Sequence, residues 1–159
     1  MRFYPVFIGM SPRPFLFVYF MDVATNDARL ERLTSICLAL PEAECQHRGD
    51  HASFLVRKKT FAYYLSNHHG DGIVSVCARV LPGDNTALVA TDPSRFYLPA
   101  YIGPRGWVGL RLDAGPADWN EVKELVAGSY LVTAPKRLAA LVRSRFGETS
   151  IGKQPSPDD

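Results

Sequence analysis

Three short segments rich in aromatic and branched aliphatic residues follow one another closely: Ser53–Arg57, Phe61–Ser66 and Ile73–Val80. Apolar runs of this length, bounded by turn residues, read as β-strands. The chain between them is Lys58-Lys59-Thr60 in one case and the turn-rich stretch Asn67–Gly72 in the other. Parallel neighbours need a crossover of a dozen residues or more, so these strands must run antiparallel. The first two predict a β-hairpin with a basic tip.

The rest of the chain supplies helices to cover such a sheet. Thr25 or Asn26 can cap a helix reaching about Leu40, in which Leu30, Leu33, Cys37 and Leu40 form one apolar stripe. Pro41 stops it, and Glu42–Asp50 reads as a polar connection. After the Pro82-Gly83-Asp84 turn, Asp84 can cap a short helix through Thr91. Arg95–Pro99 is short and aromatic, Tyr101–Gly106 is a glycine-proline loop, and Trp107–Leu112 alternates as a further strand. Asp118 is placed to cap a helix from Trp119 to about Val132, with Glu121 at its third position completing a capping box. Trp119, Val122, Leu125, Val126 and Tyr130 make its apolar stripe. Pro135 suits the first position of a last helix that runs through Arg145 and closes at Gly147. The order helix–strands–helix–strand–helix–helix predicts an α+β fold, a two-layer sandwich on a mainly antiparallel sheet.

At 159 residues, with 47% apolar and 21% charged residues, the chain suits one globular domain rather than a disordered segment. That domain is expected over 26–147, between an N-terminal extension (1–25) and a flexible tail (148–159). The extension is apolar, but Pro5, Pro12 and Pro14 interrupt it, and its longest clean run, Phe15–Met21, is far short of the roughly 20 residues of a membrane span. No small-residue cleavage site follows, so it does not read as a secretory leader. Met21 is read as the true initiator; if the upstream residues are translated, Phe15–Phe20 would add a strand or pack on the domain. Cys37, Cys45 and Cys77 are odd in number and lack a Cys-x-x-Cys spacing, which points to a reducing, cytoplasmic setting.

The net charge of +2 is too mild to announce a polyanionic partner, so the distribution matters more. Arg57, Lys58 and Lys59 project from the hairpin tip, Arg105 sits in the glycine-proline loop, and Lys136 and Arg137 open the last helix. Long cationic side chains at turns and helix starts can reach phosphates. If these three places converge, they form a basic groove. Arg143 and Arg145, at the far end of that helix, suit its dipole and need no ligand. The histidines do not read as a metal site: His47 and His51 flank Gly49, and His68 and His69 are adjacent. Cys45 near His47 or His51 lacks any local catalytic signature, and the chain has no phosphate-binding glycine loop and no nucleophile elbow. No catalytic residue, metal or cofactor is therefore expected.

Four stretches carry a resemblance. Phe54–Tyr64, Asn67–Gly72, Pro99–Leu112 and Ser129–Leu138, in this order and spacing, resemble the YjbR/MmcQ-like family of small proteins proposed to bind DNA. The likeness spans about residues 27–145. It implies a compact α/β domain with an antiparallel sheet, comparable to CyaY-like or secretion-chaperone folds, and a double-wing arrangement of loops and helices that meets DNA. One departure stands out: the family often has a lysine on the strand before the Pro-Gly turn, where this chain has Ala78-Arg79. The expected function is non-enzymatic DNA binding through Arg57, Lys58, Lys59, Arg105, Lys136 and Arg137, by a monomer or weak homodimer that does not engage membranes. The alternatives are a protein-binding adaptor, using segment 96–101 and the apolar N-terminus, and a small-ligand binder built around Asn67, His68 and His69.

Overall fold

A computed structural model describes residues 28–147. The expectations for the N-terminal extension, for the Thr25 or Asn26 cap and for the tail lie outside these residues. Six strands form one sheet in the order β1-β2-β3-β4-β6-β5, every neighbouring pair antiparallel. They are β1 (Ala43–Arg48), β2 (His51–Val56), β3 (Lys59–Ser66), β4 (Val74–Arg79), β5 (Phe96–Tyr97) and β6 (Trp107–Arg111). Helix α1 spans 28–38, α2 Asp84–Thr91, α3 Trp119–Thr133 and α4 Lys136–Gly147. The α+β fold with a mainly antiparallel sheet is as the strand spacing requires.

The structure corrects the sequence reading in several places. Residues 43–48, expected as connection, are the edge strand β1. Ala43 and Cys45 lean on the core, while Glu44, Gln46 and Arg48 point to solvent. Charged residues on an edge deter pairing with other chains, and here they make the strand look like a loop. The hairpin tip is two residues, not three: Arg57 and Lys58, at φ 50° and 64°, turn the chain, and Lys59 already begins β3. A two-residue turn with both φ values positive matches the right-handed twist of its strands, although side chains at both positions cost on the order of 1 kcal/mol each. Helix α2 is preceded by Gly83 at φ 90°, and Asp84 lies within its first turn rather than capping it. Asp118 does cap α3, accepting from the Asn120 and Glu121 amides at 2.9 and 3.3 Å. The capping box is not completed, because the Glu121 carboxylate turns to Arg95 at 2.6 Å instead.

The two faces of the sheet differ. On one, Phe54, Ala62, Tyr64, Val76, Val108 and Leu110 meet Leu33 and Cys37 of α1, Val122, Val126 and Tyr130 of α3, and Leu138 and Val142 of α4 in a single buried core. Phe61 sits where the β2–β3 register slips, and its ring meets Tyr130 edge to face at 5.3 Å. The other face carries Ser53, Tyr63, Ser75, Cys77, Arg79, Trp107 and Gly109 in register. Tyr97 lies across Gly109 there and shares a 2.7 Å hydrogen bond with Ser75.

Candidate functional site

The hairpin tip and the start of α4 do converge, through an acid. Arg57 donates to both carboxylate oxygens of Glu42, and Arg137 reaches the same carboxylate at 3.4 Å. The Arg57 hydrogen bonds hold the Glu42 carboxyl below its ordinary range. Two of the six expected phosphate contacts are thus engaged with an acid. Lys58 and Lys136 are exposed nearby.

Lys59 and Arg105 meet elsewhere, with a third cation. At the sheet end formed by the start of β3 and the close of β4, a cleft of about 380 Å³ is lined by Lys59, Tyr63, Arg79, Arg105, Trp107 and Thr133, among others. Arg79 stands opposite Trp107 in the β4–β6 register, so both project to the face away from the main core. The Trp107 ring packs against Tyr63 at 5.1 Å. Trp107 is 8% exposed, and its place is this cleft and not the helix-covered core.

Local structure fixes the backbone that carries these side chains. The β3–β4 ladder ends at Ala62 opposite Ala78, and the bulge at Phe61 leaves the next groups without strand partners. Ser129 of α3 fills the gap: its hydroxyl accepts from the Arg79 amide at 2.8 Å and donates to the Phe61 carbonyl at 2.5 Å. Arg105 ends a one-turn 3-10 helix, Gly103–Arg105, closed by Gly106 at φ 87°. Buried Asn85 of α2 clamps that turn, donating to the Gly103 carbonyl at 2.9 Å and, more weakly, to that of Trp107.

A second, larger cleft of about 630 Å³ adjoins the first and shares Arg79, Arg105 and Val132 with it. Its remaining wall includes Leu81, Pro82, Leu98 and Pro104. Among the described residues neither cleft is lined by a carboxylate, and Lys59, Arg79 and Arg105 form no ion pair. Thr133 Oγ1, in the wall of the first cleft, is buried without a hydrogen-bond partner among the described residues.

Other candidate chemistry is less well provided. The His68 ring lies 5.1 Å from that of His51 and 3.9 Å from that of His69, centroid to centroid, but among the described residues no three His, Cys, Asp or Glu side chains are placed to hold a metal ion. Burial, then the neighbouring His69 and His51, depress the His68 imidazole. Cys45 lies 3.4 Å from His47, yet burial raises its thiol, which disfavours the thiolate a nucleophile needs. Burial likewise pushes the Cys77 thiol up to about 11. No helix among the described residues is long and apolar enough to cross a membrane.

A family model described as YjbR matches residues 38–132, more than half of the chain. The chain belongs to the YjbR family. Among solved structures it is similar to the Deinococcus radiodurans protein DR2400, which carries the domain designated DUF419, with a TM-score of 0.56 and 22% identity over 74% of this chain and 87% of that one. At that identity the likeness concerns the fold. No curated protein sequence matches the chain.

Arg79, Tyr63, Thr133 and Asn85 were not among the expected site residues of this YjbR chain. Arg79 had one visible signal, its place at the one departure from the resembled pattern, Ala78-Arg79. The others had none, because their roles depend on the β4–β6 register and on where the end of α3 meets the sheet.

Proposed function

We propose that this YjbR protein is a non-enzymatic DNA-binding protein that holds backbone phosphate at Lys59, Arg79 and Arg105. The observation carrying this reading is that the three cations line one open cleft with no carboxylate in its wall. Among the described residues these cations have no ion-pair partner, and cations in a concave, partly apolar setting attract anions more strongly than the same charges on a flat solvated surface. Phosphate contacts supply most sequence-independent affinity for DNA. Lys58 and Lys136 serve as outlying contacts, while Arg57 and Arg137 chiefly brace Glu42.

Fluorescence anisotropy of a labelled DNA duplex tests the reading. With about three phosphates engaged, affinity should fall roughly 40-fold between 50 and 200 mM salt, following a slope near −0.9 per phosphate. The double variant Arg79→Ala/Arg105→Ala should weaken binding and flatten that slope. Absence of binding at low salt, to duplex and to single strand alike, would refute the proposal. A protein-binding role is the second reading, favoured by Tyr101 and Leu98, which are 83% and 46% exposed. Association that ignores salt would support it.

A further inference from the structure

Resting on the nucleic-acid reading above, we propose that the site is built for a single strand, with a phosphate at Arg79 and Arg105 and an unpaired base in the cleft on each side. The two arginines belong to both clefts, so an anion held by them has a recess to its left and to its right. One recess is lined by Tyr63, half-buried, with the Trp107 ring packed against it. The other is walled by Leu81, Leu98, Pro104 and Val132, of which Leu81, Leu98 and Val132 are 58%, 46% and 42% exposed. Large apolar side chains held at the surface around a cation ridge are placed to meet something both planar and anionic.

That alternation of cation with aromatic or apolar wall matches the alternation of phosphate and base along an unpaired strand. Proteins that hold single strands combine a cationic track with surfaces on which successive bases stack. A duplex keeps its bases paired and stacked inside, presents mainly phosphates, and has nothing to place against Tyr63 and Trp107. At about 380 and 630 Å³ the recesses fall within the ~300–1,000 Å³ usual for small-ligand sites, a scale suited to a nucleotide-sized unit. Thr60 also lines the aromatic recess, and a hydroxyl there can meet the polar edge of any base, which predicts weak sequence preference. Ser129 holds the Arg79 amide, and Asn85 holds the Gly103 carbonyl of the turn that carries Arg105, so little backbone ordering is needed on binding.

The test uses the full chain carrying Trp119→Phe, which leaves Trp107 as the sole tryptophan. A thymidine dodecamer, a duplex of equal length and thymidine monophosphate are titrated at one salt concentration, following Trp107 emission alongside anisotropy of labelled strands. The expected result is a single strand bound on the order of tenfold more tightly than duplex, with Trp107 quenched. Tyr63→Leu should weaken the single strand by on the order of tenfold and leave the duplex unchanged, in line with the loss of one stacked base. Arg79→Ala/Arg105→Ala, at exposed positions that do not threaten folding, should weaken both. Duplex bound as tightly as single strand, with Trp107 emission unmoved, overturns the single-strand inference and leaves the phosphate reading standing. Monophosphate bound as tightly as the dodecamer makes this a mononucleotide pocket and also overturns it. Binding of none of the three removes both readings.

Discussion

Ser129 is the residue whose loss should tell most about how the cleft is held. It is fully buried on α3, and one hydroxyl serves the Arg79 amide and the Phe61 carbonyl at once. Ser129→Ala keeps the volume nearly constant, removes both hydrogen bonds and adds no strain, so the cost is mainly polar. Each net hydrogen bond is worth about 1 kcal/mol, and a buried group left unsatisfied costs about 1–3 kcal/mol. Together these give a destabilisation of about 2–4 kcal/mol. With a urea slope of about 2 kcal/mol per molar, the unfolding midpoint should fall by about 1–2 M. The amide of Arg79 should also lose protection from hydrogen exchange. Ser144→Ala is the control: its hydroxyl bonds the Leu141 carbonyl on the exposed side of α4, and its loss should stay within about 0.5 kcal/mol. If the two variants unfold at the same urea concentration and Arg79 exchange is unchanged, Ser129 is merely a small packing residue and the account of the cleft's backbone is wrong.

Two further outcomes follow from single contacts. A Cβ on Gly109 would lie 2.3 Å from the Tyr97 ring, so Gly109→Ala must displace that ring and its bond to Ser75; a loss of about 1–3 kcal/mol is expected, visible as a melting temperature several degrees lower, and Tyr97→Ala in the same chain should recover part of it. Glu42 gives a pH dependence: its carboxyl is held low by Arg57, so whatever it contributes is fully present above the ordinary carboxylate range and disappears as pH falls through its folded value. Carboxyl titration by NMR should show Glu42 returning toward the ordinary range in Arg57→Ala, and an unchanged midpoint would show that the ion pair does not form in solution.

Much of this molecule is legible along the chain. The short turns between Ser53 and Val80 compel antiparallel pairing, Asp118 announces the start of α3, and Pro41 and Pro135 mark where helices stop and begin. These are local matters, decided by backbone sterics and by side chains a few residues away. Strand β1 escaped because an edge strand needs only one apolar side, and Ala43 and Cys45 are small enough to leave the polar residues dominant. The capping box at Glu121 failed because Arg95, 26 residues earlier, offers a full positive charge and two donors to the carboxylate where the local amide offers one neutral donor.

The candidate site divides along the same line. Basic residues near the turns at 57–59, 105 and 136–137 can be picked out from sequence, since charge at loops is a local property. Which of them share a cleft is not local. The bulge at Phe61 and the pairing of Arg79 with Trp107 turn Arg79 toward Lys59 and Arg105, while Glu42, across the chain, draws Arg57 and Arg137 together. Local pattern determined the elements and their polarity. Strand register and helix docking, set by contacts far apart in sequence, decided which cations face a ligand and which face an acid.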